Sequence, residues 1–280
     1  MTVQGLQKQI VEMLKAGGCD TPAFDAVCLL EDIGGIGRGN VPSSYDETLP
    51  DEKVTAVREA AQKRAQGMPL QYLLGTWDFL SLTLEVGEGV LIPRPDTELL
   101  CMVAAEELAK RKKRTVWDLC AGSGCVGLGI ASLCKEVTVT EVELSDDAFA
   151  YLERNLCRYP QYAVKAVRAD VLKDADRFAS PVDAIVSNPP YIPSGDLSGL
   201  QREVQFEPKM ALDGAKDGYL FYRAIAERWL PKLADDGFVA VEVGFDQAQA
   251  VADIFKNVGL LNISIYQDAA GIDRVVMAKR

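Results

Sequence analysis

The chain contains no histidine. That removes the commonest general base near neutral pH and the commonest nitrogen ligand for a metal. Its seven cysteines are odd in number and scattered, and none stands in a Cys-x-x-Cys pair. Neither a zinc site nor a disulfide framework is expected, and no metal; free thiols fit a reducing cytoplasm. No apolar run approaches the roughly 18 residues that a membrane span needs. No basic segment leads into a long apolar stretch at the N-terminus, so no signal peptide is expected. Positive charge is scarce: 30 Lys and Arg stand against 41 Asp and Glu, a net charge of -11. A surface of that sign repels phosphate backbones. The densest basic run, Lys110 to Arg114, reads as a helix C-terminus favoured by the helix dipole. Direct contact with nucleic acid or membrane is therefore not expected. Chemistry in this chain must run on carboxylates, amides, backbone groups or a cofactor.

What is present is enough apolar material for a substantial core, 48% of 280 residues, in one large domain or two unequal ones. The first 75 residues read as helical. Val3, Leu6, Ile10, Met13 and Leu14 recur near helical spacing up to Gly17-Gly18. Thr21-Pro22 is a helix start, with Thr as the cap and Pro in the first turn, and Ala26, Leu29, Leu30 and Ile33 line one face. A third helix is predicted over 50–66. The texture then changes. Trp77 to Leu84 alternates as a hairpin does, and Ile92-Pro93-Arg94-Pro95 must be extended, since residues before proline avoid the helical region. This stretch, 76–95, reads as a linker.

From Asp96 a helix is predicted to about Lys113. Strand and helix signals then alternate: strands at 115–119, 137–143, 162–168 and 182–187, with helices at 125–135 and 145–158. A helix over 217–233, a strand over 238–243, a helix over 247–257 and strands over 261–267 and 274–278 close the chain. Such alternation predicts an α/β fold with a mostly parallel sheet. The last two strands read as an antiparallel edge pair.

The first of these strands runs into Asp118-Leu119-Cys120-Ala121-Gly122-Ser123-Gly124-Cys125-Val126-Gly127. Glycines there allow a sharp turn and a close approach to a ligand, and the next helix presents free N–H groups at its start. Ligands of open α/β sheets sit at the carboxyl ends of the strands. Gly122-x-Gly124-x-x-Gly127 also fits a dinucleotide fingerprint, and Glu143 ends the second strand where a carboxylate can accept from ribose hydroxyls. An NAD-dependent oxidoreductase and a methyltransferase both want these features, and they do not separate the two. Asp170, after the third strand, is either an acceptor for an adenine amino group or a turn aspartate.

The fourth strand ends in Ser187-Asn188-Pro189-Pro190-Tyr191. Two prolines fix the backbone and remove two N–H donors. The remaining groups are acceptors: the Asn188 side-chain oxygen and the Pro189 carbonyl. An amide NH2 has two donors that two such acceptors can hold, and Tyr191 offers a flat surface. This grip suits methyl transfer from a sulfonium to a planar nitrogen. The nitrogen is a poor nucleophile, so placement and acceptance of its N–H bonds are what a protein can add. An exocyclic base amine has the same chemistry, so an N6-adenine or other nucleic-acid methyltransferase is the alternative. A non-catalytic protein retaining the pocket is a third reading.

Taken together, these segments resemble the HemK-type protein-(glutamine-N5) methyltransferases. The residues that carry the resemblance are Gln71-Tyr72-Leu73-Leu74-Gly75, Leu91 to Glu98, Trp117 to Gly124, Ser187 to Ile192, Glu207-Pro208, Ala211 to Gly214 and Asp217-Gly218. The resemblance implies a Rossmann-like class I methyltransferase sheet over 96–280. It also implies a small helical substrate-binding domain over 1–75, joined by the β-hairpin linker 76–95. It implies S-adenosyl-L-methionine as methyl donor and, as substrate, the glutamine of the Gly-Gly-Gln motif in peptide chain release factors. A monomer acting on this protein partner is expected. Asn188, Pro189, Pro190 and Tyr191 would form the catalytic segment. Cys120, Ala121, Gly122, Ser123, Gly124, Glu143, Asp170 and Val171, with Asn188, would line the donor site. The chain departs from the family pattern at Asp96 (usually Glu), Cys120-Ala121 (usually Gly-Thr), Glu143 (usually Asp) and Val171 (often bulkier).

Overall fold

The computed structural model describes residues 1–112, 114–179 and 181–280. The chain divides into two compact units, Met1–Thr76 with Gln201–Phe206, and Trp77–Leu200 with Glu207–Arg280.

The first unit is helical: α1 (Val3–Ala16), α2 (Pro22–Asp32), α3 (Asp51–Ala65) and α4 (Leu70–Leu74). The apolar faces read from sequence are buried, with Leu6, Ile10, Leu14, Leu29, Leu30 and Val57 fully out of water. Thr2 caps α1 by accepting the Gly5 N–H at 3.2 Å. Thr21 does not cap α2; its hydroxyl donates instead to Asp25 Oδ1 at 2.8 Å. Asp25 is itself buried and pairs with Arg64 at 2.7 Å, and Arg64 reaches Glu203 at 2.6 Å. That second pair ties the 201–206 segment to the helices, a long-range link with no local sequence signal. Helix α4 was not predicted, because five residues are too few to show a period.

The second unit opens with a hairpin, β1 (Thr76–Phe79) and β2 (Leu82–Glu85). Then follow α5 (Pro95–Ala109), β3 (Thr115–Leu119), α6 (Cys125–Leu133), β4 (Thr138–Glu143), α7 (Asp146–Arg158), β5 (Ala163–Arg168) and β6 (Val182–Ser187). After a long irregular stretch come α8 (Lys209–Leu212), α9 (Leu220–Ala224), β7 (Leu233–Glu242), α10 (Ala248–Asn257), β8 (Leu261–Gln267) and β9 (Asp273–Lys279). Strand β2 is anchored on α7: Asn155 Oδ1 accepts the Glu85 N–H at 2.7 Å, and the Tyr159 hydroxyl accepts the Thr83 N–H at 2.7 Å. Helix α5 ends at Ala109, short of the predicted end; Lys113 lies outside the described residues.

The seven-stranded sheet has the order β5-β4-β3-β6-β7-β9-β8. The first five strands are parallel, and β9 runs antiparallel to both β7 and β8. The expected α/β class and antiparallel edge pair are both present. Period-two alternation splits the core between the faces. Trp117, Leu119, Ile185 and Val239 point to one face, where Trp117, Phe178 and Trp229 meet at ring-centroid distances of 4.9–5.7 Å. Val116, Val139, Ala184 and Phe238 point to the other, under α5 and α6. The predicted helix 217–233 is broken. After Ala224 the chain widens into a π turn, Ile225–Trp229, then a 3₁₀ turn through Pro231, which has no N–H to continue a helix. The π turn aims the Trp229 indole N–H at the Val171 carbonyl, 2.8 Å away. Among the described residues no helix is long and apolar enough to cross a membrane.

Candidate active site

Sheet register brings the site together. Leu119 pairs with Val142 and with Ser187, and Ser187 pairs with Val241. The carboxyl ends of β3, β4, β6 and β7 are therefore level. The loop after Leu119, Glu143, Asn188 and Glu242 must emerge along one edge of the sheet, as the strand-end rule for open α/β sheets requires. The Ser187 hydroxyl donates to the Leu119 carbonyl at 2.6 Å and fastens two of these ends.

A cavity of about 260 Å³ opens at this edge. Its walls include Cys120, Ala121, Gly122, Ser123, Glu143, Asp170, Val171, Asn188 and Pro190 from the predicted set. Gly124, Pro189 and Tyr191 are not among the lining residues. Gly124 sits instead against Leu152 and begins α6. Pro189 is buried, and Tyr191 packs on the central core with its backbone carbonyl held by the Gln247 side-chain amide at 2.9 Å. The structure thus does not present the Tyr191 ring as a cavity wall. Unpredicted lining comes from Leu91 to Arg94, Thr97, Pro208, Met210 and Phe221. Glu207 holds two of these segments together, accepting the Ile92 N–H at 3.0 Å and the Arg94 guanidinium.

The glycine loop turns through left-handed backbone at Cys120, Gly122 and Gly124, with φ of 62°, 56° and 81°. For Cys120 this costs about 1–2 kcal/mol relative to glycine. Glu143 is nearly buried and organises the loop: Oε2 accepts the Gly122 N–H at 2.8 Å, and Oε1 accepts the N–H groups of Leu144 and Ser145 at 2.8 and 2.7 Å. A carboxylate offers about four acceptor sites, so capacity remains for a ligand hydroxyl. Asp170 is both cavity wall and turn residue, accepting the Leu172 N–H at 2.8 Å and pairing with Lys173 at 2.8 Å.

Beneath the loop lies a pair of buried carboxyls that the sequence reading did not anticipate. Asp118 Oδ2 accepts the Gly127 N–H at 3.1 Å. Its Oδ1 and both oxygens of Glu141 are buried, with the two carboxyls facing each other and the Leu128 N–H beside Glu141. Burial pushes Asp118 up to about 6, and burial together with Asp118 pushes Glu141 well above the usual carboxylate range. One proton shared between the two satisfies both, with Glu141 as its holder, because burial beside Asp118 raises it the further of the two. Acids raised in the folded state lend stability that is full below their ordinary range and is lost as pH rises through the folded values. Glu141→Gln supplies a permanent N–H to Asp118. It is expected to raise the thermal midpoint at pH 8 by about 2–6 °C, equivalent to about 1–2 kcal/mol, and to change it little at pH 5. Parallel pH profiles for the two proteins in a thermal melt would contradict the shared proton.

The Asn188 side chain stands on the cavity wall, and its Nδ2 donates to Thr97 Oγ1 at 3.1 Å. Thr97 Oγ1 in turn donates to Glu242 Oε2 at 2.6 Å. The segment behind Asn188 is clamped by the stretch that follows it. Ile192 N–H donates to the Leu212 carbonyl at 2.9 Å, and Gly214 N–H to the Ile192 carbonyl at 2.8 Å. A Cβ at Gly214 would lie 2.8 Å from Tyr191 Cα, and one at Gly218 2.5 Å from the Tyr191 carbonyl oxygen. Close backbone approach therefore explains both glycines. Thr97, Glu207, Glu242 and Gln247 are the residues to which the sequence reading gave no role. The available signal for Glu242 was a carboxylate closing an apolar strand.

A seven-stranded sheet of this order with a ligand cavity at its carboxyl edge defines a class I methyltransferase fold. The hMettl16 catalytic domain shares it, with a TM-score of 0.57 at 13% identity, covering 82% of this chain and 83% of that one. Residues 6–75 match the PrmC N-terminal domain, and residues 97–202 the Methyltransferase small domain. The release factor glutamine methyltransferase of Geobacter sulfurreducens is 38% identical over 92% of this chain and 90% of its own length. That of Moorella thermoacetica is 35% identical over 100% and 99%. The chain belongs to the release factor glutamine methyltransferase family.

The methyl donor of this class is S-adenosylmethionine, and the cavity suits it. The Ser123 hydroxyl is buried on the cavity wall beside the Cys125 thiol, with capacity left for a polar ligand atom. Glu143 has acceptor capacity for ribose hydroxyls, and Val142, Ala169, Val171 and Phe221 give the apolar surface that an adenine ring needs.

Proposed function

We propose that Asn188 is the group that receives the substrate amide, and that the chain methylates the side-chain nitrogen of the glutamine in the Gly-Gly-Gln motif of peptide chain release factors. One observation carries this reading: Asn188 stands at the cavity wall with its Nδ2 turned to Thr97, which leaves Oδ1 as its uncommitted acceptor. S-adenosylmethionine supplies an electrophilic methyl group. Asn188 Oδ1 accepts one N–H of the carboxamide and orients the nitrogen, and the acceptance strengthens as positive charge builds there. An alkylated amide nitrogen is acidic enough to lose its proton to water, so a chain without histidine can complete the reaction. Glu143, Ser123 and the loop from Cys120 to Gly124 would hold the ribose and amino-acid parts of the donor, and Asp170 and Val171 its adenine. Tyr191 and Pro190 keep the segment rigid. The helical unit would bind the release factor, with the protein acting as a monomer and its charge of -11 keeping it off nucleic acid. Incubating a release factor with enzyme and donor, followed by peptide mass spectrometry, should place a single methyl group on that glutamine. Methyl transfer to DNA or RNA in its place would overturn the reading.

A further inference from the structure

We infer that Glu242 is a positioning residue for methyl transfer: acting through Thr97, it locks the side-chain amide of Asn188 with Oδ1 toward the cavity and Nδ2 away from it. The inference rests on the reading that Asn188 receives the substrate amide. Glu242 ends β7, a strand whose last six residues are all buried, and is itself 3% exposed. Among the described residues no Lys or Arg forms an ion pair with it. A buried carboxylate without a cationic partner is costly; its short hydrogen bond comes from Thr97 Oγ1, at 2.6 Å, and the Asn188 amide also donates toward it.

A hydroxyl has one proton and two lone pairs. With Glu242 ionised, the Thr97 proton must point at Oε2, and the side of the hydroxyl facing Asn188 is then lone pair. Only a donor can stand there, so Nδ2 faces Thr97, as the 3.1 Å contact records, and Oδ1 faces the other way. An asparagine amide otherwise has two nearly isosteric orientations, and the flipped one would offer the substrate NH2 a donor instead of an acceptor. If Glu242 takes up a proton, it can donate to Thr97, the Thr97 proton can turn to Asn188, and either orientation is tolerated.

Groups from several elements face Glu242: Asp96 on α5, Arg274 on β9, Tyr191, Tyr222, and the thiols of Cys101 and Cys125. Arg274 is committed to Asp268 and Asp96, at 2.9 and 3.2 Å. The Tyr222 hydroxyl donates to the Glu242 backbone carbonyl at 2.9 Å. Burial raises both tyrosines and both thiols above their ordinary values, and it pushes Glu242 up to about 7, against the opposing pull of hydrogen bonds from Thr97 and Asn188 and of the nearby Arg274 charge. Glu242 is thus the member of this group placed to change charge near neutrality.

The test is the pH dependence of release-factor methylation at saturating donor and substrate. The unaltered enzyme should show kcat rising with pH about a midpoint near 7, as ionised Glu242 locks the amide. Glu242→Gln should lower kcat at pH 8 about tenfold, leave donor Kd within about threefold and flatten that limb. Thr97→Ser, which keeps the hydroxyl, should retain both kcat and the limb, whereas Thr97→Val should lose them. In an Asn188→Ala background, Glu242→Gln should change kcat no further. A wild-type profile without a limb between pH 6 and 8 would overturn the inference even if no variant folds, as would near-normal kcat in Glu242→Gln. If Asn188→Ala is inactive while Glu242→Gln is not, the positioning role fails and the amide-binding reading stands. If Asn188→Ala is itself active, the underlying reading fails first.

Discussion

Asn188→Ala is expected to lower kcat for release-factor methylation by about 10²–10³-fold, the scale of losing one hydrogen-bonding group that acts on developing charge. Donor affinity should stay within about threefold. The two effects separate because Asn188 meets the donor cavity at one wall only, while the carboxylate of Glu143, the Ser123 hydroxyl and the turn of the loop lie on other elements. The backbone should also hold. Pro189 and Pro190 fix their own φ angles, Ser187 is fastened to Leu119, and the residues after Tyr191 are clamped by Leu212 and Gly214. Thr97 loses its donor in this variant but keeps its hydrogen bond to Glu242. Donor binding by calorimetry and methyl transfer by mass spectrometry would measure both halves. Activity near wild type would remove Asn188 from the reaction, and a parallel loss of donor affinity would make it a donor ligand instead.

Much of this site could be read from the sequence because its parts are local. Asn188 to Tyr191 and Cys120 to Gly124 each follow an apolar strand, and neighbouring parallel strands end level, so the two segments meet once β3 and β6 pair. Glu143 was readable for the same reason. The rest depends on contacts between positions far apart in the chain. Thr97 and Glu242 are 145 residues apart and Ile92 and Glu207 are 115 apart; no spacing rule links them. Tyr191 was read as a surface for the substrate because it is aromatic and follows two prolines. The backbone that carries it is held by Gln247, Gly214 and Gly218, which come from two later segments, and the side chain packs on the central core. The broken helix after Ala224 shows the same limit on the fold: its apolar period survives, but Pro231 and the Trp229 hydrogen bond to Val171 decide the winding.

Gly127→Ala should be among the most destabilising single-methyl additions to the chain. Propensity alone favours the change, since alanine gains about 1 kcal/mol over glycine inside a helix. Space argues against it. A Cβ there would lie 2.2 Å from Glu141 Oε1, 2.6 Å from Glu141 Cδ and 2.8 Å from Val139 Cγ1. The glutamate cannot swing away, because it is fully buried and shares its proton with Asp118, whose other oxygen takes the Gly127 N–H. Relieving the overlap therefore means moving the start of α6, and with it the donor loop. Overpacking of this kind costs about 1–3 kcal/mol, sometimes more. With a backbone hydrogen bond to a buried charge also strained, a net loss of about 3 kcal/mol is expected, or a fall of about 6–12 °C in the thermal midpoint. Donor affinity should fall alongside, unlike in Asn188→Ala. The cause can be isolated by adding Glu141→Ala. Removing the carboxyl clears two of the three contacts but leaves Val139, so the double variant should recover at least about 1 kcal/mol relative to the sum of the singles, and not all of it. Simple additivity, or a Gly127→Ala protein as stable as the parent, would mean that the glycine is there for some reason other than the carboxyl pair beneath it.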